Sequence, residues 1–308
     1  MVRVARLAAA RGPELSGGAP RRRLTLLDAA LLAAVAAALA YVGYRMGTVL
    51  NYRWNWAPIP QFFLRWDAQR GLVPNLLLQG LLTTLRLAVW GMVLASLLGV
   101  VVGLGRSSRN LLPRLLGLTY VELMRNTPPL VLVFVGYFFI SSQIMPLLGL
   151  DEAARSAPAP MQAVIAVLFG DPRLLPNLVS GVICLALFEG AYVAEIVRAG
   201  IQSVGAGQWD AAAALGLRRG RALRLVVLPQ ALARMVPPLC GQFISLVKDS
   251  SIVSLISIQE LTFMSNEVAV STTRVFETWI TASGIYLVLC LGLSLGAGRL
   301  ERRLAQGR

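Results

Sequence analysis

Six long apolar stretches alternate with arginine-containing polar segments along the chain. A helix needs about 20 apolar residues to cross the hydrocarbon core of a bilayer. Stretches of that length lie at roughly 24–45, 80–104, 128–148, 177–199, 237–258 and 278–298. The pattern therefore predicts an all-α integral membrane protein with about six transmembrane helices.

Charged residues interrupt two of these stretches. The fourth carries Glu189 and Glu195, and the fifth carries Lys248 and Asp249. A charge at the centre of a bilayer costs about 2.5–3.5 kcal/mol on insertion scales, so such residues usually face a bundle interior or a wet path. We expect Glu189, Lys248 and Asp249 to line a translocation path, where acidic and basic groups would complement a zwitterion. The alternative is that Lys248 pairs with Asp249 or Glu189 for purely structural reasons.

Other charges lie towards the ends of the stretches. Arg86, roughly two turns into the second stretch, either belongs to the path and steers a carboxylate or extends to the membrane interface. Arg125 precedes the third stretch and either braces the 205–230 segment described below or follows the charge bias of the loops. Glu195 and Arg198 are spaced i, i+3, which favours a structural ion pair on one helix face.

Composition supports the membrane class. Hydrophobic residues make up 56% of the chain, the mean hydropathy is +0.66, and charged residues make up 14%, against about 25% in globular proteins. The net charge of +14 does not indicate nucleic acid, because the charges punctuate apolar runs instead of forming one stripe. The chain has no histidine, and its three cysteines lie in apolar runs without metal or disulfide spacing, so we expect no metal site.

The arginines predict the orientation in the membrane. They concentrate in the N-terminal tail, after the second and fourth stretches, and in the C-terminal tail. Because cytoplasmic loops carry the excess of Lys and Arg, both termini are predicted to lie in the cytoplasm. A cleavable signal peptide is the alternative for the N-terminus, since Arg21–Arg23 precede an apolar run. That run is longer than the usual 7–15 residues, which favours a retained helix.

The predicted outer loop 50–75 is rich in aromatic residues, which gather at membrane interfaces. A short helix lying on the outer surface is one interpretation, and a recognition surface for a partner is another. The aromatic residues are Tyr52, Trp54, Trp56, Phe62, Phe63 and Trp66. The second outer loop, 149–177, is rich in proline and indicates no specific chemistry.

The segment 205–230, between the fourth and fifth stretches, is patterned like two short helices joined at Gly216. The alanines from Ala211 to Ala214 favour a helix, and Asp210 lies in its first turn. Gly216 suits the left-handed conformation that ends a helix. The second piece, Arg219–Leu228, is basic and amphipathic, and we expect Pro229 to stop it.

Trp209, Ala212, Ala213 and Gly216 share one face at spacing i, i+3, i+4, i+7. A face of alanines beside a tryptophan suits close docking into a groove of another protein. The alternative is a surface helix that packs on its own neighbours. Spacing alone leaves both interpretations open.

The segment 205–230 resembles the cytoplasmic signature of ABC importer permeases, in which Glu-Ala-Ala, three residues and Gly are followed by a Pro-Gln-Ala element. Ala211, Ala212 and Gly216 match that pattern, and Asp210 stands where the family usually has Glu. In the family this loop forms the coupling helix that docks on the ATPase subunit. The resemblance therefore implies that Trp209, Asp210, Ala211, Ala212 and Gly216 couple to an ATPase. We expect Arg125, Glu195 and Pro229 to give structural support to this coupling loop.

The resemblance covers roughly 76–303 and points to the polar amino acid branch of the family. The stretches Gly80–Leu85, Glu122–Pro128, Gly190–Ile196, Lys248–Ser251 and Gln259–Thr262 resemble motifs of that branch. The family core has five helices, so the first apolar stretch is an addition. The implied organisation is a basic tail, extra helix and outer loop over 1–75, a permease domain over 76–303, and a cytoplasmic tail over 304–308.

The resemblance implies a transport subunit in the bacterial cytoplasmic membrane, not an enzyme. It implies a second permease subunit, two ATPase subunits and an external solute-binding protein that delivers a polar amino acid. The chain has no phosphate-binding Gly-x-x-x-x-Gly-Lys-Ser/Thr loop. We therefore expect no cofactor on this chain, with ATP and Mg²⁺ bound by the partner ATPase. The alternative is a secondary transporter driven by an ion gradient, although the sequence shows none of the internal repeats common in such proteins.

Overall fold

The computed structural model describes residues 25–49, 52–69 and 71–306. The basic tail predicted over 1–24 and the last two residues lie outside the described part. Six helices in the described residues are long and apolar enough to cross a membrane: Leu26–Arg45, Leu76–Arg106, Pro129–Leu148, Pro172–Gln202, Arg219–Ile256 and Val275–Arg303. Six predicted apolar stretches thus correspond to six helices, most of which extend beyond the apolar run.

The elements are almost all helical. The long helices are α1 (Leu26–Val49), α2 (Leu76–Arg106), α3 (Leu111–Asn126), α4 (Pro129–Phe139), α8 (Leu175–Gln202), α11 (Leu228–Asp249), α12 (Leu261–Thr272) and α13 (Val275–Gln306). The shorter helices are α5 (Met145–Leu148), α6 (Leu150–Ser156), α7 (Ala159–Leu168), α9 (Ala206–Ala214) and α10 (Arg219–Ala222). Strands β1 (Leu64–Asp67) and β2 (Gly71–Pro74) form one antiparallel pair. Turns of 3₁₀-helix cover Ile59–Phe62, Pro172–Leu174 and Ser250–Ile256, and π-helical turns cover Ile140–Ile144 and Leu223–Val227.

The chain divides into two compact units, Met1–Trp54 and Asn55–Arg308. Helix α1 belongs to the first unit, and the side chains described along its apolar span are not buried. The second unit contains the other five spans, together with the β1–β2 hairpin that the sequence analysis grouped with the N-terminal segment.

Helix α8 is the centre of the second unit and packs along α2. Small residues recur every four positions on α2, at Gly91, Ala95, Gly99 and Gly103, and all are buried. A Cβ added at Gly99 would lie 2.5 Å from Val193 on α8, and one at Gly103 would lie 2.7 Å from Val197. The absent side chains therefore let the two backbones approach closely, as small-residue stripes do in membrane helices.

The prediction that Pro229 stops a helix is wrong. The backbone remains helical from Arg219 through α10, the π-helical turn and α11. Pro229 is the second residue of α11, directly after the π-helical turn. The wider turn has i→i−5 hydrogen bonds, so a residue without an N–H is tolerated there. Two further prolines, Pro237 and Pro238, lie inside α11.

The short helix interpreted in the outer loop is present only as a single 3₁₀ turn, and most of the loop has another structure. Residues Ile59–Phe62 form one 3₁₀ turn, and a hairpin follows in which Leu64 pairs with Pro74 and Asp67 with Gly71. Gly71 has a φ of +72°, which glycine adopts without strain. Trp66 is 77% exposed on this hairpin.

Candidate functional site

Helix α9 ends in a hydrogen-bonded cap built around Gly216. Gly216 has a φ of +72°. The N–H of Gly216 donates to the carbonyl of Ala213 at 2.9 Å, and the N–H of Leu217 donates to that of Ala212 at 3.1 Å. This pair of bonds is a Schellman motif, which ends the helix and satisfies two of its last carbonyls. The sequence prediction of a helix ended by Gly216 agrees with this geometry.

The two faces of α9 differ in burial. Ala212 is buried, and Trp209 is half-buried against a cluster formed by the end of α8 and the start of α11. Asp210, Ala211 and Ala213 are exposed, and Leu215 is 80% exposed. Of the predicted docking face, Trp209 and Ala212 therefore pack inward. The surface open to a partner is formed by the other side of α9 and by Leu215, which the sequence analysis did not single out.

Two contacts fix α9 to the span Arg219–Ile256, and a third orients one of the side chains that make them. The guanidinium of Arg219 lies 5.1 Å from the centre of the Trp209 ring, within cation–π range. The Gln230 amide donates to the side-chain oxygen of Gln208 at 3.0 Å. Gln230 also donates to the carbonyl of Val226 at 2.9 Å. A displacement of α9 would therefore be transmitted directly to α11.

Glu195 is the centre of an ion-pair cluster near the same end of the bundle. Its carboxylate pairs with Arg106 of α2 and with Arg198 at 2.9 Å, and it lies 3.6 Å from Arg125 of α3. The i, i+3 pair predicted between Glu195 and Arg198 is present. Arg125 also lies 5.4 Å from the centre of the Tyr192 ring. One carboxylate thus joins α2, α3 and α8 beside the segment that carries α9.

Glu189 lies fully buried in the middle of α8. The Gln242 amide of α11 donates to one of its carboxylate oxygens at 2.5 Å, and the other oxygen has no hydrogen-bond donor. The Asp249 carboxyl is close enough to interact with Glu189 directly. Gln242 was not predicted as a site residue, because a neutral amide within an amphipathic helix does not stand out from its neighbours.

Lys248 is exposed at the end of α11 and forms no ion pair with Glu189 or Asp249 in the part of the chain that the structure describes. The alternative of a Lys248–Glu189 pair is therefore absent there, whereas the Lys248 charge still acts on the adjacent Asp249 without a direct ion pair. Consecutive residues on a helix point in different directions, which places Asp249 towards Glu189 and Lys248 away from it.

Arg86 caps a helix. Its guanidinium donates to the carbonyls of Val167 at 3.2 Å and Ala166 at 3.0 Å, at the C-terminus of α7. Trp90, one turn further along α2, donates to Leu168 at 3.1 Å. A cation at a helix C-terminus is favoured by the helix dipole. Arg86 thus secures α7, which neither predicted role anticipated.

Glu260 joins three helices at the end of the bundle opposite α9. It caps α12 by accepting from the N–H of Phe263 at 2.8 Å, and it also accepts from Tyr286 of α13 at 2.8 Å and Thr84 of α2 at 3.3 Å. Burial raises the pKa of the Glu260 carboxyl above its ordinary value, although these hydrogen bonds oppose the shift. The three donors make Glu260 a structural junction.

The bundle of spanning helices has counterparts among known proteins. Residues 91–306 match the family described as "Binding-protein-dependent transport system inner membrane component". The chain belongs to this family. It is therefore a multi-pass membrane component of a transport system, and the prediction of an importer permease is confirmed.

Named relatives resemble most of this permease. A Bacillus subtilis (strain 168) protein named "Probable glutamine ABC transporter permease protein GlnM" is 34% identical over 230 residues, which cover 75% of this chain and 94% of that protein. An Escherichia coli (strain K12) protein named "Glutamine transport system permease protein GlnP" is 32% identical over 239 residues, covering 78% and 97%. Neither relative supports the alternative of a secondary transporter.

Solved structures show the same fold. A chain from the "Crystal structure of an amino acid ABC transporter with histidines" is 33% identical, with a TM-score of 0.60 over 74% of this chain and 94% of that one. A chain of the MetNI methionine ABC transporter in an inward-facing conformation is 17% identical, with a TM-score of 0.55. The predicted five-helix importer permease core with one additional N-terminal helix is confirmed.

Proposed function

We propose that this permease translocates a polar amino acid, delivered by an external solute-binding protein, at the expense of ATP hydrolysed by a separate subunit. The names of the glutamine permeases GlnM and GlnP, each about one third identical to this chain, support the substrate class. The observation that carries the coupling mechanism is α9, with an exposed ridge on one side and Trp209 fixed to α8 and α11 on the other.

The exposed side of α9 is the proposed ATPase contact. Asp210 and Ala211 line this side, and Leu215 projects 80% exposed beside Gly216. Trp209 and Ala212 hold the helix from behind. ATP-driven closure of the ATPase subunits would move α9 as a rigid body and rock the spanning helices between two states. Arg125, Glu195 and Pro229 support the same end of the bundle.

Glu189, Asp249, Gln242 and Lys248 are the proposed translocation groups. Buried Glu189 and half-buried Asp249 offer acceptors for a substrate ammonium. Lys248, exposed on another side of α11, offers a cation for a carboxylate. These roles complement a zwitterion. Arg86 supports the proposed path indirectly, because its hydrogen bonds hold α7 against α2.

The complex proposed around this chain follows the family. It comprises a second permease subunit, identical or related, two ATPase subunits that bind ATP and Mg²⁺, and the solute-binding protein. This chain binds no cofactor of its own in the proposal. Both termini and α9 face the cytoplasm of a bacterial cell, as the arginine distribution favours.

The test is reconstitution of the permease with its ATPase and binding protein in liposomes, followed by ATP hydrolysis and amino acid uptake. Leu215→Asp should abolish ATPase co-purification and uptake, because a charge would replace the exposed apolar contact. Leu72→Asp is the matched control: it makes the same change at a 61% exposed leucine on the hairpin, and ATPase binding should be unchanged.

Two results would reject the coupling role. One is full ATPase binding and stimulation by the Leu215→Asp variant. The other is uptake by the wild-type permease in the absence of ATP, which would favour a transporter driven by an ion gradient. Loss of ATPase binding in both leucine variants would indicate a general folding defect and contradict a specific contact at Leu215.

A further inference from the structure

A polar cavity of about 450 Å³ lies at the end of the bundle opposite α9. Its walls are the β1–β2 hairpin, the first turns of α2, the segment 166–178 and the stretch 257–259 after α11. Ligand pockets for small molecules range over about 300–1,000 Å³, so the volume suits a compact metabolite. Glu189 and Asp249 are not among the lining residues, which separates the cavity from the buried carboxyl pair.

Three polar side chains in the lining have no bonding partner within the part of the chain that the structure describes. They are Arg65 of the hairpin, Asn177 of α8 and Gln259 after the 3₁₀ turn. Arg65 is exposed, and Asn177 and Gln259 are half-buried, so water can reach all three side chains. Their donors and acceptors are therefore available to a ligand that displaces this water. The convergence of three uncommitted polar groups on one cavity favours a polar ligand.

The charges of the lining balance. Arg65 and Arg86 contribute two cations, and Asp67 and Asp171 contribute two carboxylates. A site with balanced charge suits a net-neutral ligand that carries both signs, which is the state of a neutral amino acid. The carboxamides of Asn177 and Gln259 can each donate and accept, which matches an amide or hydroxyl on the ligand side chain.

The cavity is held open by rigid contacts. Arg86 and Trp90 bond the last carbonyls of α7, and the Trp90 ring stacks on Phe169 with centroids 5.0 Å apart. On the opposite wall Ser257 has a φ of +63°, an uncommon conformation for a residue with a side chain. Such local strain concentrates at functional sites, and here it turns the chain so that Gln259 reaches the cavity.

We propose that this cavity is an entry subsite for a neutral amino acid with a polar side chain, occupied before the substrate reaches Glu189 and Asp249. The proposal rests on the proposed import function and names a second, separate position for its substrate. Arg65 would bind the carboxylate, Asp67 or Asp171 the ammonium, and the two carboxamides the side chain.

The test is protection of a cysteine inside the cavity. Cys184, Cys240 and Cys290 are replaced by alanine, and Ser257→Cys is labelled with an impermeant maleimide in the complex reconstituted without binding protein. Saturating L-glutamine should slow labelling several-fold, and L-glutamate or L-lysine should protect less. Ser156→Cys, exposed on α6 outside the cavity, is the control and should label at the same rate with and without glutamine.

Two further substitutions, each combined with Ser257→Cys, test whether residues that line the cavity bind the protecting glutamine. Arg65→Ala should raise the glutamine concentration needed for protection about tenfold or more, the scale of one lost hydrogen bond to a charged group. Asn177→Leu should raise it about fivefold, the scale of one lost neutral hydrogen bond. Arg155→Ala removes an exposed arginine outside the cavity and should change nothing.

The proposed import function is measured in parallel as ATP-dependent uptake with the binding protein present. If uptake occurs but glutamine does not protect Ser257→Cys from labelling, the subsite is overturned and the import function stands. The same conclusion follows if the glutamine concentration needed for protection is unchanged in both Asn177→Leu and Arg65→Ala. Absence of uptake for every polar amino acid would overturn both proposals.

Discussion

Glu189 presents its two carboxylate oxygens to different neighbours. One accepts a hydrogen bond from Gln242, and the other, without a donor, lies near Asp249. A buried carboxyl group that lacks a full set of donors loses stability. A substrate ammonium that binds the free oxygen would complete the site, which is the role proposed above for Glu189.

We expect Glu189→Gln and Glu189→Leu to separate stability from transport. The carboxamide keeps an acceptor for Gln242 and can donate to Asp249, so Glu189→Gln should retain the wild-type melting temperature but lose most uptake. Glu189→Leu leaves Gln242 without its acceptor and should cost about 1–3 kcal/mol of stability. Thermal unfolding of the purified permease and uptake in liposomes measure the two effects.

Glu122→Gln on α3 is the control for the loss of a carboxylate, since Glu122 is exposed and, among the described residues, its side chain bonds only Asn126, one turn away. It should leave both measurements unchanged. Unaltered uptake by Glu189→Gln would remove Glu189 from the translocation path.

The sequence analysis found the charged members of this group and missed the neutral one. Glu189, Lys248 and Asp249 are conspicuous because charges are rare in apolar stretches. Gln242 is one of several uncharged polar residues on α11, and only the packing of α11 on α8 shows which of them reaches Glu189. The burial of Trp209 and Ala212 is likewise a tertiary fact, because α9 could have turned either face inward.

Helices α2 and α8 depend on close backbone approach. The buried small residues of α2 face valines of α8, and the added Cβ at Gly99 would lie within 2.5 Å of Val193. Without a hydrophobic driving force between helices in lipid, van der Waals contact of this kind supplies much of the association energy.

Gly99→Val should destabilise the bundle by about 1–3 kcal/mol or more, the usual cost of overpacking. Gly284→Val is the matched control, because a side chain at Gly284 on α13 would meet open space. The measurement is the fraction of monodisperse permease that survives a temperature series in detergent. Equal survival of the two variants would contradict the packing of α2 on α8.

At the scale of elements, the sequence predicted what depends on local chemistry. Six apolar runs of sufficient length correctly predicted six spanning helices, and Gly216 correctly predicted the end of α9. The prediction for Pro229 was wrong because a π-helical turn precedes it. The hairpin was not predicted, because its short strands are held by pairing across a glycine turn and carry too few residues for a clear alternation.

Across the second unit, three helices connect the two functional ends. Helices α2 and α8 begin at the polar cavity and end beside the Glu195 cluster and α9. Helix α11 runs in the opposite direction, from the Trp209 contact to Asp249, and continues through the 3₁₀ turn to the cavity wall at 257–259. A movement imposed on α9 can therefore reach the cavity through packed helices.

The proposed mechanism requires α9 to lie on the cytoplasmic side of the membrane and the cavity to open on the outer side. In a background with the three native cysteines replaced by alanine, Ala68→Cys marks the hairpin and Arg109→Cys marks the loop between α2 and α3; both positions are exposed. An impermeant maleimide applied to intact spheroplasts should label Ala68→Cys and spare Arg109→Cys. After permeabilisation both should react, which controls for intrinsic reactivity. The excess of arginines near the α9 end favours this result. Labelling of Arg109→Cys alone in intact spheroplasts would place α9 outside, away from cytoplasmic ATP, and would overturn the coupling mechanism together with the entry subsite.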